Sequence, residues 1–377
     1  MHRLKQIIGT RKRIVIKIGT NLLADKVKGV NPEKIDEIAS SVAFLKSLGN
    51  DVAIVSSGAI GAGVAALKLQ TRPRSIPEKQ ATAAVGQPLL MEAYETAFRK
   101  QGIDIAQILL TKDDFINRGR YVNAKNTFSV IFEKGVVPVI NENDSVAIEE
   151  IKLGDNDNLS ALVANLIEAD VLVILTDIDG LFTDDPSRNM KAELIPVVER
   201  ITAQVEKLAK KSGSDLSTGG MITKIQAAKR CVSAGIAMII ANGTNPRAIE
   251  EIFSGNFRGT LFLPRETNLN VRKKWIGFIS HSKGSVIVDD GAKEALLKKH
   301  KSLLPSGILE VQGDFSANDT IAVKDVERNE IAKGVSEYSS DDLKKIKGKK
   351  TGDIEKILNC KPCDEVIHKD NLVITGE

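Results

Sequence analysis

Apolar and polar positions follow a repeating rhythm along the first two thirds of the chain. A short apolar run gives way to a small, glycine-bearing turn, and then to a stretch with apolar residues every three or four positions. Residues 14–18 (IVIKI) predict a buried strand, with Gly19 and Thr20 as its exit turn. A helix is predicted next, with Asn31 as cap, Pro32 in its first turn and Gly49 as its stop. Residues 51–63 (DVAIVSSGAIGAG) predict a strand, a Ser/Gly turn and the start of a helix. The same reading predicts strands at 104–111, 136–140, 170–176 and 235–242, and helices over 78–100, 121–134, 157–168 and 222–234. Residues 193–211 read as one amphipathic segment interrupted near its start by Pro196. About eight strands precede residue 263, and their alternation with helices predicts a largely parallel sheet covered by helices.

The pattern then changes. Polar residues 265–274, with a basic triplet at 272–274, separate the α/β part from a tail of short strands. Strands are predicted within 284–290, 307–314, 319–325, 331–340 and 372–376, and short helices within 291–300 and 341–348. The tail is therefore a small, mostly β domain. The expected division is a first domain over 1–265, a linker over 266–274 and a second domain with a C-terminal extension over 275–377. The length of 377 residues is compatible with two or three domains.

Composition narrows the function classes. Hydrophobic residues at 42% and charged residues at 27% are those of an ordinary folded protein. The net charge is +4, and residues 271–377 hold 19 basic and 18 acidic side chains, so neither part carries a nucleic-acid footprint. Aromatic residues are only 4%, which supplies few platforms for base stacking. Cys231, Cys360 and Cys363 form no disulfide framework, and Cys360 and Cys363, even with His368 nearby, lack the second pair that a zinc site requires. The basic N-terminus has no secretory apolar run and no stretch reaches 18 apolar residues, so a cytoplasmic protein with no membrane span is expected.

Five clusters carry candidate chemistry. Lys17 sits at the carboxyl end of the first strand, where ligands of open α/β sheets gather, and Gly19 opens the backbone beside it. The turn Ser56-Ser57-Gly58 offers hydroxyls and amides to an anion. It fits neither a Walker A sequence nor a G-x-G-x-x-G fingerprint nor a nucleophile elbow, and four histidines support no Ser-His-Asp hydrolase. Residues 141–144 (NEND) and 154–158 (GDNDN) bring acids and amides that suit an ammonium, a carboxylate or hydrated Mg²⁺; the spacing of a calcium loop is absent. Thr176 and Asp177 end another strand, where they can read a nucleotide or simply cap a loop. Finally, Thr218, Gly219, Gly220, Met221, Ile222, Thr223 and Lys224 form a glycine-rich loop opening a helix, a site for phosphate oxygens. Two lysines delivered to one place suit phosphoryl transfer, which needs positive charge more than covalent help.

These motifs, in order, resemble the amino-acid kinase family in its glutamate 5-kinase branch. The resemblance rests on VIKIGTN (15–21), VSSGAIGAG (55–63), AVGQ (84–87), QILLT (107–111), NENDSV (141–146), LGDNDNLSALVA (153–164), LTDIDGLFTDDP (175–186), STGGMITKIQAA (217–228) and FRGTLF (257–262). One departure is Leu153, where the pattern has Phe. The segments 284–296 and 302–323 resemble a PUA domain.

The resemblance implies a three-layer α-β-α sandwich around a mostly parallel sheet, followed by a PUA-like domain. It implies transfer of a phosphoryl group from ATP, with Mg²⁺, to the side-chain carboxylate of L-glutamate, giving L-glutamyl 5-phosphate and ADP on the way to proline. By position, Lys17, Lys224 and Asp157 are the expected catalytic residues, with Asp157 orienting the lysines. Ser57, Asp144 and Asn156 are expected at glutamate, and Lys17, Thr176, Asp177 and Thr218 through Lys224 at the nucleotide. It further implies proline as a feedback inhibitor overlapping the glutamate pocket near 141–157, a dimer or tetramer, and a downstream glutamyl phosphate reductase. The near-neutral tail points to a regulatory or assembly role rather than RNA binding. Kinases of the same family for acetylglutamate, aspartate, carbamate or UMP stay open as alternatives, as does an RNA-binding protein with a nucleotide-sensing domain.

Overall fold

A computed structural model describes residues 12–23, 29–146, 156–186, 188–211, 220–264, 282–358 and 363–375. The chain divides into two compact units, Met1–Thr267 and Asn268–Glu377.

The first unit is built on eight strands: β1 (Arg13–Ile18), β2 (Asp51–Val55), β3 (Ile105–Leu110), β4 (Val137–Glu142), β5 (Val171–Thr176), β6 (Val197–Val198), β7 (Ala237–Asn242) and β8 (Gly259–Phe262). They form one sheet in the order β3-β4-β2-β1-β5-β7-β8-β6, and every pairing but β7 with β8 is parallel. β5 is buried at all six positions, as expected for a strand covered on both faces.

The helices used below are α1 (Pro32–Ser47), α2 (Ala59–Ala66), α3 (Ile76–Lys100), α4 (Arg118–Glu133), α5 (Asn156–Leu166), α6 (Met221–Ser233) and α7 (Ala248–Ser254). Side chains cap α1, α3 and α4. Asn31 caps α1 by accepting from Lys34 N–H, and Pro32 occupies its first turn. Ser75 and Glu78 close a reciprocal capping box on α3. Alternate residues of β1 face opposite layers: Ile14, Ile16 and Ile18 join the core shared with α1, α3 and α7, whereas Lys17 faces the layer that holds α5.

Two glycines set how closely α2 and α3 approach. A Cβ on Gly63 would lie 1.9 Å from Thr82 O, and one on Gly86 would lie 1.8 Å from Ala59 O. The backbones therefore touch, and no side chain fits between them.

The segment 193–211 departs from the amphipathic reading. Leu194 bridges Phe182, Val197 and Val198 add the edge strand β6, and helix begins only at Ala203. Pro196 cannot continue a helix, and the two β-branched residues after it suit the sheet edge.

The second unit is a five-stranded sheet of β9 (Gly284–Val288), β10 (Ile308–Gly313), β11 (Thr320–Lys324), β12 (Glu330–Val335) and β13 (Leu372–Ile374), in the order β10-β9-β11-β12-β13. Two short helices, α8 (Asp290–Leu297) and α9 (Ser340–Ile346), cover its core of Val286, Val288, Leu296, Ile321, Val323 and Leu343. Cys360 lies outside the described residues, and Cys363 is a free thiol. Among the described residues no helix is long and apolar enough to cross a membrane.

Gly86→Ala is expected to destabilise the first unit by about 1–3 kcal/mol, read as a drop of about 5 °C in calorimetric Tm. Gly119→Ala on α4, where the new Cβ meets only Asn117 Oδ1 at 3.4 Å, is the matched control and should leave Tm unchanged or raise it slightly.

Candidate active site

The carboxyl ends of β4, β2, β1, β5 and β7 lie side by side on one edge of the sheet. The chain runs from β1 to β2 on one flank and places β5 on the other, so the topology switches at β1. Open α/β sheets leave a crevice at such a point. Lys17 stands there, near the end of β1, paired in register with Val55 and Ile174.

Lys17 is only 6% exposed, which demands a partner for its ammonium. The partner is Asp157 in the first turn of α5, itself fully buried, with Lys17 Nζ 2.5 Å from its Oδ1. Lys224, in the first turn of α6 and also buried, brings its Nζ to 3.0 Å from Asp157 Oδ2. Thr223 Oγ1 lies 3.0 Å from the same oxygen and 2.7 Å from Gly220 O. Burial resists ionisation of Asp157, but the Lys17 and Lys224 ammonium groups outweigh it and hold the carboxyl below its ordinary value.

One carboxylate cannot neutralise two ammonium groups, so the trio carries a net charge of +1 in a buried place. The amino ends of α5 and α6, of 11 and 13 residues, meet at the same point and add positive potential there. The arrangement is prepared for an anion, which would complete the charge balance that Asp157 half supplies.

On one flank, β2 and β4 end in hydroxyls and amides. Gly58 takes φ +112°, open to glycine, and turns the chain from β2 into α2 with Ser56 and Ser57 just before it. Asn156 Nδ2 lies 2.5 Å from Ser56 O, 2.9 Å from Ser57 Oγ and 3.1 Å from Asn141 Oδ1. Asn141 donates in turn to Gln87 Oε1 at 2.9 Å. The Ser56 hydroxyl pairs with Tyr94 OH at 2.9 Å, and burial keeps that phenol protonated. Asp144 is half-buried in the turn that follows β4.

On the other flank, β5 and β7 end in Thr176 and Asn242. The Thr176 hydroxyl donates to Asp177 Oδ1 at 3.1 Å, and Asn21 donates to Asp177 Oδ2 at 2.9 Å. Burial alone would raise the Asp177 pKa, but these two hydrogen bonds and the Lys224 charge lower it on balance. Gly243 N–H ties the next turn to Thr176 O at 2.7 Å, and a Cβ there would strike Leu22 Cδ1 at 2.4 Å. Asn242 orders the start of that turn by accepting from Thr244 N–H and its hydroxyl.

Lys17, Asp157 and Lys224 thus meet, and Ser57 and Asn156 meet beside them. Thr176 and Asp177 stand together on the opposite flank. Gly220 is the helix boundary, Met221 is buried, and Ile222 is exposed. Thr218 and Gly219 lie outside the described residues. Sequence reasoning assigned no role to Asn21, Gln87 or Tyr94, and placed Asn141 only in the NEND cluster as a whole. Asn21, Gln87 and Asn141 fall inside quoted motifs, so a signal existed; Tyr94 becomes visible only through its partner.

Among the described residues no group of three His, Cys, Asp or Glu side chains gathers for a metal. Both oxygens of the central carboxylate are engaged by lysine.

Comparison with known proteins bears on the fold and the family. Residues 12–242 match the model of the amino acid kinase family, and residues 284–358 that of the PUA domain. The chain is 50% identical over 368 residues to a glutamate 5-kinase of Geobacter sulfurreducens, covering 98% of this chain and 99% of that one. It is 49% identical over 362 residues to a glutamate 5-kinase of Thermoanaerobacter sp., covering 96% and 97%. Among solved structures, carbamate kinase from Giardia lamblia bound to AMP-PNP superposes with a TM-score of 0.50 at 17% identity, over 68% of this chain and 99% of that one. That likeness speaks to the fold.

Asp157→Asn keeps the side-chain volume and removes the charge between two buried ammonium groups. It should cost about 3 kcal/mol at pH 7 by urea denaturation. The folded-state pKa of Asp157 is depressed, so its stabilisation is complete above the unfolded value of about 4 and is lost as pH falls through the lower folded value. The gap between wild type and variant should therefore close below pH ~4.

Proposed function

This chain belongs to the amino acid kinase family, and on that premise we propose that it transfers the γ-phosphoryl group of ATP to the side-chain carboxylate of L-glutamate. The products are ADP and L-glutamyl 5-phosphate, the first step toward proline. The observation that carries this reading is the meeting of Lys17 and Lys224 on Asp157 at the sheet's switch point, between a hydroxyl-amide flank and a Thr-Asp flank. The near full-length similarity to glutamate 5-kinases supports glutamate as the acceptor within that geometry.

The acceptor carboxylate is already ionised at neutral pH, so no general base is needed to create the nucleophile. A carboxylate oxygen forms its bond to the γ-phosphorus while the bond to the β–γ bridging oxygen breaks, and ADP leaves with that electron pair. The obstacle is repulsion between two anions. Lys17 and Lys224 offset it by contacting the phosphates and the charge that develops on them, and Asp157 keeps both ammonium groups aimed at one place. In this reading Ser57 and Asn156 hold glutamate and Asp144 pairs with its ammonium. Thr176, Asp177 and the loop from Thr218 through Lys224 hold the nucleotide. The donor set fits Mg²⁺ that arrives on ATP, held by phosphate oxygens and water, where it supplies charge neutralisation.

The same reading assigns residues 1–265 to catalysis, 266–274 to a linker and 275–377 to a regulatory or assembly role. It places proline, as inhibitor, over the glutamate pocket near 141–157. It also takes the enzyme to be a cytoplasmic dimer or tetramer that hands a labile acyl phosphate to a reductase.

An acceptor panel tests the activity. ATP consumption should occur with glutamate and not with N-acetylglutamate, aspartate, carbamate or UMP, and hydroxylamine should trap the product as a hydroxamate. Consumption with another acceptor alone would replace glutamate in this assignment. Lys224→Ala should lower kcat by about a hundredfold or more, the scale of losing one preorganised cationic donor. Asp144→Ala should raise KM for glutamate by about tenfold or more while moving KM for ATP less than about twofold.

A further inference from the structure

Helix α3 reaches the acceptor flank at two points. Gln87 and Tyr94 are seven residues apart, so they share one helix face. Gln87 meets Asn141 at the end of β4, and Tyr94 meets Ser56 at the end of β2. The chemistry of this network admits only one direction. Ser56 O can only accept, so the Asn156 atom 2.5 Å away is its Nδ2. Glu142 N–H can only donate, so the Asn141 atom 2.9 Å away is its Oδ1, which also lies 3.1 Å from Asn156 Nδ2. With Asn141 fixed in this way, its Nδ2 faces Gln87, which must present oxygen, and does so at 2.9 Å.

We propose that Gln87 is a positioning residue for the acceptor: as an obligatory hydrogen-bond acceptor it locks the Asn141 amide, and through it the Asn156 amide and the Ser57 hydroxyl. This inference rests on the reading of that pocket as the glutamate site. It also accounts for a local cost. Gly86, Gln87 and Pro88 sit inside α3, where glycine is unfavourable and proline, lacking an N–H, more so. Gly86 is required for the contact with Ala59, and that contact sets the distance from which Gln87 spans to β4.

The test uses the full-length enzyme and the variants Gln87→Met, which keeps the length and deletes the acceptor, and Gln87→Glu, which keeps an acceptor oxygen. Gln87→Met should raise KM for glutamate about five- to tenfold, the scale of one hydrogen bond, with kcat and KM for ATP nearly unchanged and Tm lowered by about 5 °C or less. Gln87→Glu should stay within about threefold of wild type. In an Asn141→Ala background, Gln87→Met should add less than about twofold, because its action runs through Asn141. A wild-type KM in Gln87→Met, equal losses in both variants, full additivity with Asn141→Ala, or a parallel fall in Tm and ATP use would each overturn the proposal. Gln87→Ala serves as the deletion if Gln87→Met does not fold. Wild-type turnover is read first: no turnover with glutamate overturns the acceptor assignment instead, and the variants are then compared on whichever acceptor of the panel is turned over.

Discussion

A buried carboxylate held between two buried ammonium groups is the constraint around which the first unit is arranged. Asp157, Lys17 and Lys224 come from α5, β1 and α6, three elements brought together by tertiary packing alone. Each is too costly to bury singly, so the fold must deliver all three or none. The delivery explains much of the surrounding architecture. β1 lies near the middle of the sheet, covered on both faces, so that Lys17 emerges from a rigid strand. The helices that carry Asp157 and Lys224 begin where their partners stand, so the dipoles of α5 and α6 reinforce the same positive point. The excess of one positive charge suits an anion, and in the proposed reading the group that stabilises the fold also aims both lysines at phosphate.

The α/β rhythm was legible because strands buried on both faces read as continuous apolar runs, and because Asn31, Pro32 and Gly220 mark helix ends by known chemistry. The region around Pro196 was less legible. A two-residue strand carries almost no periodicity, and Val197 and Val198 become a strand only because β8 is there to pair with them. The antiparallel sense of β8 was equally hidden, since a run of apolar residues has no direction.

The candidate site divides in the same way. Lys17, Ser57, Asp157 and Lys224 could be named because charged and hydroxyl residues at strand ends and helix starts are conspicuous. Their partnerships could not. Thr223, expected at the nucleotide, directs its hydroxyl to Asp157 across 66 residues of chain, and Gln87 meets Asn141 across 54. The second of these depends on where α3 sits, which the backbone contacts at Gly63 and Gly86 set. A glycine in a helix pattern signals that something approaches closely, but not what it brings within reach.

The strand order has a consequence for how such an enzyme can change. β4 and β2 with α3 furnish one wall of the crevice, and β5 and β7 with α6 furnish the other; among the described residues β1 and α5 reach both. Substitutions confined to β4, β2 and α3 touch none of the strands of the opposite wall. With the proposed acceptor on one wall and the proposed nucleotide on the other, such a scaffold is suited to exchanging one small-molecule partner by local revision.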